Sequence, residues 1–253
     1  IVLEIRGNMF HRWKAVFFIS LCLIIACLSS MGPAFYTDES EDSDLIVDGV
    51  FEEKFQDDFW DRGWQKLILF GNPEGNYYSL NRKRLSLELP STQTAVVLTN
   101  PNVSFSDVLV EATFENILSN VASYAVICRY SEDGWYELRV NVSGPEAGSY
   151  KLLKYDFYRK EQYKNPYVLL HKGMDRIFSV DIKLGLNVKN KLGLLCEGDE
   201  IKAYINDKEQ FPIKNGKITD DQFEEGGVGF SAQSYGEGLA KIDIVKFSAK
   251  EVQ

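Results

Sequence analysis

From Phe51 onward, apolar residues recur at every second position in short runs, and Gly, Asn, Asp or Pro separates one run from the next. Alternation with period two is typical of strands that bury one face, and no segment keeps the 3.6-residue period of an amphipathic helix for long. The predicted strands are 65–70, 77–80, 84–89, 94–99, 108–114, 123–130, 135–142, 149–155, 163–170, 177–182, 191–196, 200–205, 228–232 and 239–247. The pattern predicts an all-β, antiparallel two-sheet sandwich, with one helical turn at 220–225.

Charge and histidine content exclude several functions. The chain has 37 acidic and 28 basic side chains, a net charge of −9, which repels phosphate and argues against nucleic acid as a partner. Its two histidines, His11 and His171, exclude a multi-histidine zinc site and leave one plausible base for a Ser-His-Asp triad. We expect His171 to lie in a solvated loop.

The N-terminal region has the pattern of an export signal. The basic stretch 9–14 precedes an uncharged run, 15–26, which is shorter than the roughly 20 residues of a membrane span but fits a signal-peptide core. The run ends in Leu-Ile-Ile-Ala before Cys27, which resembles a bacterial lipobox and predicts lipidation of Cys27. Residues 1–27 are thus a signal peptide or lipoprotein anchor, with an uncleaved hydrophobic anchor helix as the alternative. Either predicts an exported protein held on the outer face of the bacterial cell membrane.

An acidic segment follows the anchor. Residues 38–44 hold five acids in seven positions and no apolar side chain, so self-repulsion and lack of burial predict an extended tether over 28–50. A calcium-binding or partner-binding tail is the alternative. The folded domain is then 51–253.

Alternation also assigns faces to the strands. After a hairpin at 131–134, Tyr136, Leu138 and Val140 point to the core, and the intervening side chains point away from it. An aromatic ring with charged neighbours on one face can stack on a sugar and bind its hydroxyls. The predicted ligand-binding residues are Arg129, Trp135, Glu137, Arg139 and Tyr155. The alternative is ordinary core aromatics with cross-strand charge pairs.

The two cysteines of the predicted sandwich, Cys128 and Cys196, lie in strands and face inward. In an exported chain a disulfide between them is the favoured interpretation, and two buried free thiols are the alternative.

A set of short runs spans nearly all of 51–250. The runs are Phe55-Gln-Asp-Asp-Phe59 with Gly63-Trp64, Asp107 to Phe114, Ala125 to Tyr130 with Trp135 to Leu138, Tyr150 to Tyr155, Asn190 to Asp199 with Ala203 to Asn206, and Asp221-Gln-Phe with Gly226 to Phe230. Together and in this order they resemble the concanavalin A-like lectin and glucanase jelly rolls, specifically the 3-keto-disaccharide hydrolase-like domains of bacterial lipoproteins. These runs are mostly structural and say little about chemistry.

The resemblance implies either sugar binding or sugar hydrolysis. Glucanases of this kind carry Glu-x-Asp-x-Glu on one strand, whereas Glu111 and Glu115 here have Thr113 between them. We therefore expect a surface-tethered module that binds carbohydrate or cell-envelope glycan, without a catalytic constellation. The alternatives are a glycoside hydrolase of modified (3-keto) disaccharides and a structural or adhesive domain with a protein partner.

No cofactor is expected. The acidic turns at 132–134, 197–200 and 206–207 have oxygens that suit calcium, but none has the spacing of a dedicated calcium loop. Turn formation is the simpler interpretation, and calcium is the alternative.

Overall fold

The computed structural model describes residues 45–252, except 76, 91–92, 119–120, 172–174, 212–216 and 237. The predicted anchor helix, the lipidation site Cys27 and the acidic run 38–44 lie outside these residues and stay predictions. Among the residues that are described, no helix is long and apolar enough to cross a membrane.

Short strands dominate the described chain, with one helix, α1, at Phe157–Tyr163. In chain order the strands are β1 Val50–Glu53, β2 Gln65–Phe70, β3 Tyr78–Asn81, β4 Arg84–Leu89, β5 Thr94–Phe105, β6 Val108–Leu118, β7 Ala122–Tyr130, β8 Gly134–Asn141, β9 Ser149–Asp156, β10 Tyr167–Leu169, β11 Ile177–Phe178, β12 Val188–Glu197, β13 Glu200–Ile205, β14 Lys208–Gln210, β15 Ile218–Thr219, β16 Gly226–Ser234 and β17 Ala240–Glu251. The all-β prediction is confirmed.

The strands form two antiparallel sheets. The first has the order β14-β13-β12-β6-β17-β4-β3, with β1 paired to β17 and β15 paired to β13. The second has the order β10-β9-β8-β7-β16-β5-β2, with β11 paired to β9. Some neighbours are consecutive in sequence, as in β7-β8-β9-β10, and others are distant, as in β6 beside β17 or β7 beside β16. The chain therefore alternates between the sheets and closes one sandwich.

One large apolar core lies between the sheets. Trp64 stacks on Phe59 with ring centroids 5.0 Å apart and packs against Phe230 and Phe247 of the two long C-terminal strands. Its indole Nε1 donates to the buried carboxylate of Glu53 over 2.7 Å. Trp64 therefore fastens the start of the domain to both sheets, as expected for a core aromatic.

The regular elements depart from the predicted ones at several points, and β14 and β15 are further strands that were not predicted. Residues 220–225 form turns and coil, and the helix lies instead at α1, where the Asp156 side chain accepts the backbone N–H of Arg159 over 3.0 Å. Strand β10 is shorter than the predicted strand 163–170 because α1 occupies the beginning of that range. Strand β1 was not predicted; it pairs with the C-terminal half of β17.

Some residues before the predicted domain start also pack on the sandwich. Leu45 and Ile46 contact the core, and Val47 forms a bridge with Val50. These contacts place residues 45–47 on the sandwich, ahead of the predicted domain start at 51. The division into anchor, tether and domain itself stays a prediction.

Candidate functional site

The outward side of the second sheet carries the predicted ligand-binding residues. On β8, Tyr136, Leu138 and Val140 lie in the core between the sheets, as alternation predicts. The intervening side chains lie on the opposite face, where Trp135 joins a second apolar cluster with Val97, Ile127 and Tyr155. The sequence therefore identifies the correct face of this strand.

This face is covered where its aromatic residues lie. Trp135 stacks on Tyr155 with ring centroids 3.9 Å apart, and the two side chains are 0% and 1% exposed. Phe157 of α1 and Tyr167 of β10 pack edge-on against Tyr155. Burial and the nearby Glu137 carboxylate raise the pKa of Tyr155 to about 12. Neither ring is presented to solvent, so Trp135 and Tyr155 have no free face for a sugar in this conformation.

Glu137 and Arg139 form a nearly buried ion pair beside the stack. The Glu137 carboxylate contacts the Arg139 guanidinium and accepts the Trp135 Nε1 hydrogen bond over 2.9 Å. Arg139 also lies over the Tyr167 ring, 4.4 Å from its centroid. Burial lowers the pKa of Arg139, but Glu137, Tyr167 and Tyr235 together outweigh burial and hold the pKa well above its ordinary value. Both Glu137 oxygens therefore contact neighbouring side chains and Glu137 is 1% exposed, whereas Arg139 is 9% exposed.

Arg129 does not share this face, contrary to the prediction. Its backbone has a φ of 53°, and the register of the adjoining strand pair shifts at this point, so alternation is broken. The side chain is 1% exposed and donates to the carbonyls of Ser106, Gly198 and Phe223, with Asp107 as its ion-pair partner. Arg129 therefore ties loops together at one end of the sandwich and is not available to a ligand.

Polar side chains occupy the centre of the outward face. Tyr235, which directly follows β16, connects three of them: its hydroxyl accepts from Arg139 and Ser123 at 3.3 Å each and donates to Gln233 Oε1 over 2.9 Å. Ser231 belongs to the same face, since its neighbours Phe230 and Ala232 lie in the core. We call Ser123, Arg139, Ser231, Gln233 and Tyr235 the polar floor. Tyr235 is 40% exposed, so its ring is accessible while its hydroxyl is held.

Apolar side chains and charges border the polar floor on opposite sides. Leu67 and Leu69 of β2 flank it on one side and are half-buried. On the other side, Glu146 in the loop before β9 forms ion pairs with Lys151 and Arg176. Phe178 of β11 pairs with Ser149 and is 65% exposed, which leaves an accessible aromatic ring at this border.

His171 lies beside the charged border, and the expectation that it is solvated is wrong. The Leu170 backbone N–H donates to Leu152 O and its side chain packs on the core, so alternation directs His171 to the face that holds Lys151. The imidazole is 1% exposed, and within the described residues neither ring nitrogen has a hydrogen-bond partner. Burial and the charge of Lys151 lower its pKa.

The predicted disulfide is present. Cys128 of β7 is bonded to Cys196 of β12, and both are 0% exposed. The bond joins the second sheet to the first through the core, where its sulfur atoms are not accessible to a ligand. Its role is structural.

Other acidic groups are used in pairs. Glu111 and Glu115, on the outward side of the first sheet, pair with Lys191 and Arg84. Among the described residues, no three His, Cys, Asp or Glu side chains are grouped as a metal site requires. The expectation that no cofactor is bound, with calcium at the acidic turns as its alternative, stays a prediction.

Comparison with known proteins gives matches at the level of structure. No protein-family model and no curated protein sequence matches the chain. The carbohydrate-binding module CBM66 from Bacillus subtilis is 15% identical, with a TM-score of 0.50 over 75% of this chain and 96% of that one. The β-glucanase of Bacillus licheniformis is 14% identical, with a TM-score of 0.52 over 81% and 99%. The laminarinase catalytic domain from Thermotoga maritima is 8% identical, with a TM-score of 0.56 over 82% and 98%.

The fold is a concanavalin A-like jelly roll. The predicted jelly-roll fold is thereby confirmed, and at these identities the likeness carries the fold alone. The narrower resemblance to 3-keto-disaccharide hydrolase-like domains stays a prediction. The polar floor lies on the outward side of one sheet of this jelly roll. Its position follows from the contacts of this chain and not from the similar structures.

Sequence reasoning missed Tyr235, Gln233 and Ser231. The predicted strand ended at Ala232, which left two of these three outside it. Residues 231, 233 and 235 are polar or amphipathic and are spaced by two, so they continue the alternation beyond the predicted end of the strand. This period-two signal would have extended the strand and identified the residues of the polar floor.

Proposed function

We propose that this domain is a carbohydrate-binding module whose glycan lies on the polar floor. Tyr235 carries the proposal: its exposed ring offers a stacking surface, and its hydroxyl is fixed by Arg139, Ser123 and Gln233. Sugars present C–H groups on one face and hydroxyls around their edge, so a site for them combines an aromatic ring with convergent donors and acceptors. Arg139 remains from the predicted ligand-binding set as a group that contacts ligand.

The remaining predicted residues act beneath the floor. Glu137 holds Arg139 in place, and the stacked Trp135 and Tyr155 fix the strand that carries both. We assign these three as positioning residues, and we assign Arg129 to the stability of the loops. Preorganised polar groups lose little rotamer freedom on binding, which favours affinity.

The structural neighbours support the ligand class. One is a carbohydrate-binding module, and others are glucanases and laminarinases. Binding is favoured over hydrolysis because glycoside hydrolysis needs two accessible carboxyl groups that flank the bond, whereas Glu137 is 1% exposed and engaged with Arg139 and Trp135. The hydrolase of modified disaccharides remains the alternative.

The purified full chain, screened on a glycan array, tests the proposal. For a glycan that binds, Tyr235→Ala is expected to lower affinity about tenfold, since loss of one stacked ring and its fixed hydroxyl removes on the order of 1.4 kcal/mol. Tyr235→Phe keeps the ring and gives a smaller loss. Tyr158→Ala is the matched control, because Tyr158 is 64% exposed on α1, away from the floor.

An array without hits, or hits that Tyr235→Ala leaves unchanged, would favour the structural or adhesive alternative. Release of reducing sugar from polysaccharides or 3-keto-disaccharides would favour the hydrolase. The proposed function includes tethering at the bacterial surface through Cys27. Palmitate labelling that is lost in Cys27→Ser supports it, and label that persists would contradict it.

A further inference from the structure

Cations outnumber acids along the border of the polar floor. Arg139 and Lys151 are directly opposite in the β8–β9 pair, and Arg176 immediately precedes β11, whose first residue pairs with Tyr150. Arg176 thus continues the same row of side chains across three neighbouring strands. Like charges at such spacing repel, so a row of three cations requires anions beside it.

Within the part of the chain that the structure describes, these three cations form ion pairs with two carboxylates. Glu137 is used by Arg139. Glu146 is shared, since Lys151 Nζ lies 3.3 Å from Glu146 Oε2 and the Arg176 guanidinium contacts Glu146 Oε1. The Lys151 and Arg176 side chains are 25% and 40% exposed, so both are accessible from solvent. Among the described residues, three cations thus share two carboxylates through these ion pairs, in a protein whose net charge is −9.

The neighbouring imidazole is a second, independent sign of an unfilled polar contact. His171 is 1% exposed, and neither of its ring nitrogens has a hydrogen-bond partner among the described residues. A buried polar group without a partner costs about 1–3 kcal/mol. The group lies on the same face as Lys151 and beside it, where an oxygen-rich ligand would supply the missing partner.

We propose that the border formed by Lys151, Arg176 and His171 selects glycans that carry an anionic substituent, a uronate carboxylate or a sulfate ester. The sugar ring lies on the polar floor at Tyr235, and its anion extends to Lys151 and Arg176, where it competes with Glu146. This inference rests on the proposed function and adds the class of sugar. A planar carboxylate or a sulfate suits the guanidinium of Arg176, which donates two parallel hydrogen bonds.

Matched pairs of glycans test the inference on the full chain. Alginate and pectate oligosaccharides are measured beside their carboxyl-reduced forms, and sulfated galactan oligosaccharides beside their desulfated forms. The acidic member is expected to bind at least about fivefold more tightly, with an advantage that shrinks as salt rises. The alginate and pectate pairs test recognition of a uronate carboxylate, and the galactan pair tests recognition of a sulfate ester.

Single substitutions at this border are expected to change the affinity for the acidic glycan in opposite directions. Lys151→Gln and Arg176→Gln are expected to remove most of the preference and to leave the neutral glycan unaffected. Glu146→Gln removes the competing carboxylate and is expected to strengthen binding of the acidic member. Lys189→Gln is the control, since Lys189 is similarly exposed but lies on the first sheet.

Equal binding of acidic and neutral members would overturn this inference while leaving the proposed function intact. So would a Glu146→Gln variant with unchanged or weakened acidic binding, a result that does not depend on the lysine and arginine variants being folded. Absence of binding by every member would instead overturn the proposed function, and this inference with it.

Discussion

The indole of Trp135 and the phenol of Tyr155 stack with ring centroids 3.9 Å apart and planes inclined by 4°. They are cross-strand partners in the β8–β9 pair, so the stack is built into the register of the sheet. The outward face of this sheet thus has an apolar layer of its own at one end and a polar floor at its centre. Stability and binding are assigned to different residues of one face.

The first prediction concerns Trp135. Replacement by Ala empties a fully buried site and is expected to lower the free energy of unfolding by about 3–5 kcal/mol in urea denaturation. Trp135→Phe keeps an aromatic ring but loses the hydrogen bond to Glu137, so its cost should be smaller. Tyr163→Ala is the control: Tyr163 is 63% exposed and its loss is expected to cost less than about 0.5 kcal/mol. A Trp135→Ala protein of normal stability that has lost glycan binding would show that Trp135 contacts ligand after all.

The second prediction concerns Arg129. Arg129→Met removes the donors to three backbone carbonyls, and among the described residues the Asp107 side chain keeps only its hydrogen bond from the Gly198 N–H. Because each buried acceptor left unpaired costs about 1–3 kcal/mol, a loss of about 3–5 kcal/mol in unfolding free energy is expected. Arg82→Met, at an exposed position, should change stability little. Glycan affinity, measured under conditions where the variant is folded, should match that of the unchanged protein. Reduced affinity with unchanged stability would return Arg129 to the ligand-binding set.

Alternation predicted the fold because it records burial directly. Strands β4 and β13 have the predicted bounds, and the core side of β8 follows from the spacing of Tyr136, Leu138 and Val140. Outside such alternating runs, the sequence predicted fewer of the observed strands. Strand β1 is four residues long and gains its strand geometry from pairing with β17, a partner almost two hundred residues away that no local pattern reveals.

The site was harder to predict, for physical reasons that differ between residues. Arg129 follows the alternation in sequence and departs from it in structure, because a left-handed backbone at that residue turns its side chain toward the loops. Trp135 lies on the predicted face, but its exposure depends on Tyr155, Phe157 and Tyr167, which come from other elements. A period in the sequence identifies a face, whereas the layer that covers the face is decided by tertiary packing.

The third prediction concerns the disulfide between Cys128 and Cys196. The bond closes a loop with a sequence separation of 68 residues, so in the chain-entropy account its removal is expected to cost about 4 kcal/mol of unfolding free energy. Urea denaturation of the double variant Cys128→Ser, Cys196→Ser measures this cost. Dithiothreitol should lower the denaturation midpoint of the unchanged protein and leave the double variant unaffected. Equal midpoints for the two proteins without reductant would contradict the prediction.

The fourth prediction uses the lowered pKa of His171. Burial and the charge of Lys151 hold the folded-state pKa below the value of about 6.5 expected for an unfolded chain. Between these two values the unfolded chain binds a proton that the folded protein does not, so the free energy of unfolding rises with pH there. The stabilisation is complete above pH 6.5 and is lost as pH falls through the range below it. Protonation would place a buried cation beside the charge of Lys151.

Urea denaturation from pH 7.5 to pH 5 measures this effect, with His171→Gln as the matched variant that keeps a polar side chain but does not titrate. Subtracting the two curves removes the contribution of the other titrating groups, including Glu146, which pairs with Lys151 and Arg176. The unchanged protein is expected to lose more stability than His171→Gln as pH falls below 6.5. Parallel curves would contradict the lowered pKa. A steeper loss of stability in His171→Gln than in the unchanged protein would mean that the protonated imidazole has a hydrogen-bond acceptor, which a nearby residue or a ligand would supply.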